Sequence, residues 1–160
     1  MILRRSVPED ANLMTGLLNE IIRLGGTTAH QCAKSARQMR TDYIDELYVV
    51  TAVLAEDKNK IIGWQAVGIW PGLPPGWGDI GTFVRAGMQA LSSMGVSFEK
   101  TTLVARAAAL RALNATIRAD YAAGLAFCPR MGFVGHGHDP KFTLTAGLPL
   151  LPDRLIPRPL

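Results

Sequence analysis

The chain has 160 residues, of which 48% are hydrophobic and 19% are charged, and its formal net charge is +4. This length suits a single domain spanning residues 1–160, and the apolar content is too high for a disordered chain. The sequence has no run of about 20 apolar residues, so it predicts no membrane-spanning helix. It turns polar directly after Met1-Ile2-Leu3, which argues against a secretory signal. We therefore expect a soluble, cytoplasmic protein without a membrane partner.

Cysteine spacing and charge distribution exclude several classes of site. Cys32 and Cys128 form no CxxC pair and have no histidine at a metal-like spacing, so no zinc site or disulfide is predicted. The basic residues are scattered and are not interleaved with aromatics, so nucleic acid is not expected as a partner. The net charge of +4 is equally compatible with an anionic small ligand. Residues 136–139 read HGHD, whose two imidazoles suggest a metal site but lack an evident third ligand. We therefore expect a solvated strand end there.

The N-terminal third predicts a strand followed by two helices. After a short strand at residues 3–5, Ser6 and Glu9 match a capping box, which marks a helix start. Apolar residues then recur at three- and four-residue spacing up to Ile22, and Gly25 and Gly26 end the helix. Residues 33–45 predict a second helix.

The middle and C-terminal parts alternate between strands and helices. Two β-rich segments, 47–55 and 61–67, flank a polar turn at residues 57–60 and predict an antiparallel hairpin. Prolines and glycines make residues 71–78 a loop. The remaining predicted elements are a strand at 80–84, a helix ending near Ala109, a strand at 112–117, a helix near 119–129, and strands near Phe133 and Phe142.

Four segments carry a family resemblance. Residues 78–89 read GDIGTFVRAGMQ, residues 113–120 read LNATIRAD, residues 124–126 and 131–133 read GLA and MGF, and residues 18–22 read LNEII. Together they resemble the GNAT superfamily of N-acetyltransferases, in the branch of the phosphinothricin-type enzymes. The resemblance implies an α+β fold with α/β/α layers, in which about four helices flank a mixed central sheet of about seven strands.

The resemblance also implies a function. Members transfer an acetyl group from acetyl-CoA, as co-substrate, to a primary amine of a small molecule by direct attack, without a metal. The pantetheine arm pairs with an exposed strand edge, and the pyrophosphate binds amides at a helix N-terminus. The matching cofactor-binding positions are Phe83, Val84, Arg85, Gln89, Ala90, Leu91, Ser92, Ser93, Met94, Gly95, Tyr121 and Gly124. Such domains often pair through C-terminal strands, so the apolar residues 148–156 predict a homodimer.

Two departures from the family pattern leave a second function open. Ser92 and Met94 stand where the pyrophosphate loop has small residues, and Cys128 stands where relatives carry a tyrosine that protonates the departing thiolate. Cys128 is a candidate proton donor, with an inert packed cysteine as the alternative. Tyr121 is a second candidate for the missing phenol. The alternative to an active enzyme is a catalytically weakened or inactive module that binds CoA or a small ligand without turnover.

The acceptor side of the expected site is less patterned. Asp79, at the head of the central strand, is the best-placed carboxylate to relieve the substrate ammonium of a proton, or else it caps the turn before it. Thr28 and His30 lie in the connection that walls the acceptor site in relatives, and the pKa of histidine suits proton transfer. Trp64 and Trp70 either line an acceptor pocket or fill the core.

Overall fold

The structure, a computed structural model, describes residues 1–45, 48–88, 93–138 and 152–156. In chain order its elements are β1 (Ile2–Arg5), a 3-10 turn (Pro8–Asp10), α1 (Ala11–Leu24), α2 (Ala36–Tyr43), β2 (Val49–Asp57), β3 (Lys60–Gly68), β4 (Trp77–Val84), α3 (Ser93–Ala107), β5 (Ala112–Arg118), α4 (Ala122–Arg130), β6 (Val134–His138) and β7 (Pro152–Ile156). The predicted α+β class, with about seven strands and four helices, is confirmed. The strand expected near Phe142 lies outside the described residues. Within the described ranges, no helix is both long enough and apolar enough to cross a membrane.

One mixed sheet organises the molecule, and β4 occupies its centre. The strand order is β1-β2-β3-β4-β5-β7-β6. Neighbouring strands run antiparallel except for β4 and β5, which are parallel. Parallel neighbours require a long crossover connection, and α3 supplies it between these two strands. The site therefore forms around the one parallel pair of the described sheet.

The predicted hairpin is confirmed in both its strands and its turn. β2 and β3 pair antiparallel from Val49 opposite Gly68 to Asp57 opposite Lys60. Between them, Lys58 and Asn59 have φ values of 46° and 62°. Two successive residues at positive φ make the turn type whose twist matches that of paired strands. The polar sequence at 57–60 therefore fixes the strand register here.

The start of the first helix differs from the prediction. The capping carboxylate belongs to Asp10, whose Oδ2 accepts a hydrogen bond from the Val7 amide at 2.8 Å. Arg4 donates to both Asp10 oxygens at 2.7 Å, which holds the pKa of this buried carboxyl below its usual range. The capping box between Ser6 and Glu9 is therefore wrong, because an ion pair from β1 selects the neighbouring acid.

The loop before β4 ends two residues earlier than predicted. Trp77 and Gly78 were expected in the loop, yet both belong to β4. The cause is tertiary: the Arg111 amide donates to the Gly76 carbonyl at 2.7 Å, and the Arg111 side chain donates to the Pro75 carbonyl at 3.0 Å. These bonds align the start of β4 with the start of β5.

Two apolar clusters pack on the sheet. The first joins the predicted apolar face of α1 to the hairpin and β4, with Met14, Leu18, Leu54, Trp64 and Phe83 among its members. The second packs around β5 and α4, with Leu113, Cys128 and Phe133 among its members. The spacing of apolar residues in α1 therefore predicts its buried side correctly.

Candidate functional site

A cleft opens where the two parallel strands separate. The β4–β5 ladder comprises three pairs and ends with Asp79 opposite Asn114. Beyond it, β4 stays paired with β3 as far as Val84, and β5 turns to β7 from Ala115 onward. A cavity of about 440 Å³ fills the gap and is lined by the diverging halves of both strands. The N–H and C=O groups of successive strand residues point to opposite edges of the strand. Beyond Asp79, the edge of β4 that no longer pairs with β5 therefore faces this β4–β5 cleft.

Most of the described residues predicted for the site meet at this cleft. Its lining includes Thr28, His30, Trp70, Asp79, Phe83, Val84, Tyr121, Gly124 and Cys128. These residues come from the α1–α2 connection, the β3–β4 region and α4, so the fold brings together positions up to 100 residues apart in sequence.

The remaining predicted positions lie elsewhere. Arg85 is not part of the lining and forms an ion pair with Glu20 of α1. Ser93, Met94 and Gly95 form the first residues of α3. The other loop positions, Gln89, Ala90, Leu91 and Ser92, lie outside the described residues.

One side of the cleft, termed the ring wall, consists of His30, Tyr43 and Phe83. His30 Nε2 lies 2.8 Å from the Tyr43 hydroxyl. The His30 ring stacks on Phe83 with centroids 6.0 Å apart, and Tyr43 meets Phe83 edge-on at 5.8 Å. Burial lowers the pKa of His30 and raises the pKa of Tyr43, so both side chains are neutral at pH 7. No sequence motif points to Tyr43, because only the folded chain brings it to His30.

Trp64 supports the ring wall from behind. Its side chain is fully buried and does not line the cleft. Its ring lies 4.1 Å from that of Phe83 and 4.8 Å from that of Tyr43, measured between centroids. Of the two interpretations of this tryptophan, the core position is therefore the correct one, whereas Trp70 lines the cleft.

Asp79 lies at the point where the strands separate. Its Oδ1 accepts a hydrogen bond from Asn114 Nδ2, across the last pair of the ladder. Asn114 is buried, so the amide holds the carboxylate at the inner end of the cleft. Asp79 also contributes to the raised pKa of Tyr43, which means that its charge acts on the ring wall. In the part of the chain that the structure describes, no group of three or more His, Cys, Asp or Glu side chains is arranged to hold a metal ion.

The opposite side, termed the helix wall, consists of Tyr121, Gly124 and Cys128 of the α4 region. Tyr121 is the N-cap residue of α4. A Cβ atom at Gly124 would lie 2.5 Å from Tyr121 Cδ1, so the glycine leaves space for this ring. Burial raises the pKa of Cys128 to about 11 and raises the pKa of Tyr121 as well. Both groups therefore carry their protons at neutral pH.

Arg118, to which no sequence motif points, links the α1–α2 connection to the β5–α4 connection. Its Nε and Nη2 donate to the two carboxylate oxygens of Asp120 at 2.8 and 2.7 Å. Its Nη1 donates to the Thr28 carbonyl at 3.0 Å. The side chain is only 11% exposed. Each of its three nitrogens is thus already engaged within the protein.

Comparisons with known proteins establish the fold. No protein-family model and no curated protein sequence matches the chain. Among solved structures, it is similar to a ribosomal-protein-alanine N-acetyltransferase from Brucella melitensis, with a TM-score of 0.86, 14% identity and 100% of both chains covered. It is also similar to a GNAT superfamily phosphinothricin acetyltransferase from Sinorhizobium meliloti, solved in complex with AcCoA, with a TM-score of 0.85, 18% identity, and 99% of this chain and 88% of that chain covered. A GNAT-family acetyltransferase from Streptococcus pneumoniae gives a TM-score of 0.81 at 17% identity, over 99% of this chain and 98% of that one. Identities this low bear on architecture alone, and the chain shares the fold of these acetyltransferase structures.

Proposed function

We propose that this chain transfers an acetyl group from acetyl-CoA to a primary amine of a small molecule by direct attack. The observation that carries the proposal is the early end of the β4–β5 ladder after Asp79, which leaves a strand edge facing a cleft. An extended thioester ligand can add to such an edge through main-chain hydrogen bonds. Similar solved structures include acetyltransferases, and the one from Sinorhizobium meliloti was solved in complex with AcCoA.

In this proposal, acetyl-CoA lies between β4 and α4. Its amide-rich arm pairs with β4 at Phe83 and Val84, both of which line the cleft. Its pyrophosphate binds at the N-terminus of α3, which begins at Ser93. Unpaired amides and the helix dipole favour an anion at a helix N-terminus. The thioester carbonyl then lies near the inner end of the cleft, where bound amine and thioester gain from proximity.

The amine must lose a proton to attack, and His30 is suited to accept it. Because burial lowers its pKa, His30 is neutral at pH 7, and the unprotonated nitrogen of a neutral imidazole can act as a general base. Asp79, at the inner end of the cleft, attracts and orients the ammonium before that transfer. Thr28 and Trp70 complete the acceptor side of the lining.

The departing thiolate needs a proton, and the helix wall offers two donors. Tyr121 and Cys128 are seven residues apart, which is about 10 Å along an α-helix, so they offer the proton at different places in the cleft. Cys128 is a member of the second apolar cluster, whereas Tyr121 is only half-buried. We assign the proton-donor role to Tyr121 because its partial exposure allows reprotonation from solvent.

Calorimetric titration with acetyl-CoA and detection of released CoA thiol with a panel of amines test this function. We expect saturable binding and acetylated product. Well-folded protein that binds no acetyl-CoA at millimolar concentration would contradict the proposal. Binding without turnover of any amine would favour the alternative, a GNAT-fold module that binds CoA without catalysis.

We further propose that the chain is a single cytoplasmic domain that forms a homodimer. β7 lies between β5 and β6, which leaves β6 at one edge of the described sheet. An unpaired edge strand is a surface on which a second copy can pair. Light scattering at micromolar concentration should give the mass of two chains, and a monomer mass would contradict the dimer.

A further inference from the structure

The two cations described at the cleft, Arg118 and Lys34, are paired with carboxylates within the protein. Arg118 is the one lysine or arginine among the described lining residues, and Asp120 engages it through two hydrogen bonds. Lys34, whose charge contributes to the lowered pKa of His30, forms an ion pair with Asp42 of the lining. An acceptor that carries a carboxylate or phosphinate would need a cation to pair with when it leaves water. Both of these cations, Arg118 and Lys34, already have an acidic partner.

The acceptor side of the cleft is instead aromatic. His30 and Tyr43 both contact Phe83, and these contacts fix the orientation of all three rings. Trp70 adds a fourth ring to the lining. It packs closely on Gly68, where an added Cβ atom would lie 2.7 Å from Trp70 Cζ2. Aromatic faces favour apolar ring systems and attract ammonium groups. An acceptor with an aromatic body and one ammonium group matches this surface.

We propose that the acceptor is an arylalkylamine, that is, a primary amine on a short chain attached to an aromatic ring, without a carboxylate or phosphinate. The aromatic body packs against the ring wall and Trp70, and the amine points to the inner end of the cleft at Asp79. This inference rests on the proposed acetyl transfer. It differs from what the phosphinothricin-type resemblance suggests, because phosphinothricin itself is an anionic amino acid.

Matched ligand pairs test the acceptor class directly. Phenethylamine and phenylalanine differ by one carboxylate, and tryptamine and tryptophan form a second such pair. Equilibrium binding of each to the full chain, with CoA present, should favour the amine by at least about tenfold, the equivalent of one modest ionic interaction. Equal binding, preference for the amino acid, or binding of neither at millimolar concentration would overturn the inference. Steady-state kcat/KM with acetyl-CoA should show the same order.

Asp120→Asn provides a change in specificity that general damage to the fold would not produce. It removes the carboxylate that compensates Arg118, so the ratio of phenylalanine to phenethylamine binding should rise about tenfold. Asp45→Asn is the matched control, because it removes the ion pair to Arg40 of α2, outside the cleft lining. The control should leave the ratio unchanged. An unchanged ratio in Asp120→Asn would overturn the role given to the compensated arginine.

The outcomes also separate this inference from the proposed function. If the chain acetylates amino acids better than arylalkylamines, acetyl transfer stands and the acceptor class is wrong. If acetyl-CoA does not bind, the proposed function fails, whatever the amine panel shows. Binding of phenethylamine in preference to phenylalanine without turnover would support the recognition of an arylalkylamine and contradict catalysis.

Discussion

The two walls of the cleft are built in different ways. The ring wall consists of side chains from three separate segments, and its members touch one another and the buried Trp64. The members of the helix wall fall within eight consecutive residues, 121–128, and the Tyr121 ring packs closely beside Gly124. Phe83 is a member of the first apolar cluster and Tyr43 packs against it, whereas Tyr121 lies outside both clusters. Substitution of Phe83 should therefore reduce stability first, and substitution of Tyr121 should affect chemistry first.

The largest expected effect is on the stability of the ring wall. Phe83→Ala removes a side chain that is 9% exposed and packed against Trp64. We expect it to lower the free energy of unfolding by about 3–5 kcal/mol, as for other buried phenylalanines. Phe127→Ala is the matched control on α4, because Phe127 also lines the cleft but is only partly buried. Denaturant unfolding of both variants measures the contrast, and equal losses would show that the two walls do not differ in this way.

The second prediction concerns chemistry at the helix wall. Tyr121→Phe removes a proposed proton donor and should lower kcat by about a hundredfold or more, the usual contribution of general acid catalysis. Cys128→Ser keeps a small side chain and should change kcat only a few-fold. Thiol release under saturating substrates gives both values. The reverse order would transfer the donor role to Cys128, which stands at the tyrosine position of the resembled family.

How far the sequence predicts this molecule depends on whether a feature is local. The turn at Lys58 and Asn59 and the apolar side of α1 follow from short-range pattern, and both are confirmed. The helix cap was assigned to Ser6, but the ion pair of Arg4 with Asp10 selects a different acid. That choice depends on β1 packing beside the helix start. Local sequence therefore identifies the element, and tertiary contacts select the residue.

The candidate site follows the same division. The segment of residues 78–89 and the α4 region carry motif positions, so Asp79, Phe83 and Gly124 were predicted and do line the cleft. Tyr43 and Arg118 were missed because their significance lies in contacts with His30 and Thr28, which are 13 and 90 residues away in the chain. For Trp64 the sequence leaves two positions open. A tryptophan suits a pocket or a core equally, and only the burial of its side chain in the structure shows that it belongs to the core.

The third prediction tests the close packing of Tyr121 beside Gly124 in the helix wall. Gly124→Ala should cost about 1–3 kcal/mol or displace the Tyr121 ring, because the new methyl group would overlap it. Gly16→Ala is the control: Gly16 also lies within a helix, but nothing lies within 4 Å of an added Cβ atom there. That variant should gain up to about 1 kcal/mol from helix propensity. Thermal unfolding measures both, and a stabilised Gly124→Ala with unchanged kcat would contradict the described position of Tyr121.

The smallest expected effect is a pH dependence that originates in the ring wall. Burial lowers the folded-state pKa of His30 below its ordinary value of 6.5. Below pH 6.5 the unfolded chain therefore binds a proton that the folded chain does not, so stability falls as pH decreases. His30→Gln removes this contribution, and its deficit relative to the wild type should shrink between pH 7.5 and 5. Tyr43→Phe is the control, because it loses one hydrogen bond, worth about 0.5–1.5 kcal/mol, and keeps the buried imidazole. Its deficit should stay nearly constant with pH. If the deficit of His30→Gln were equally constant between pH 7.5 and 5, His30 would not be held neutral by the ring wall.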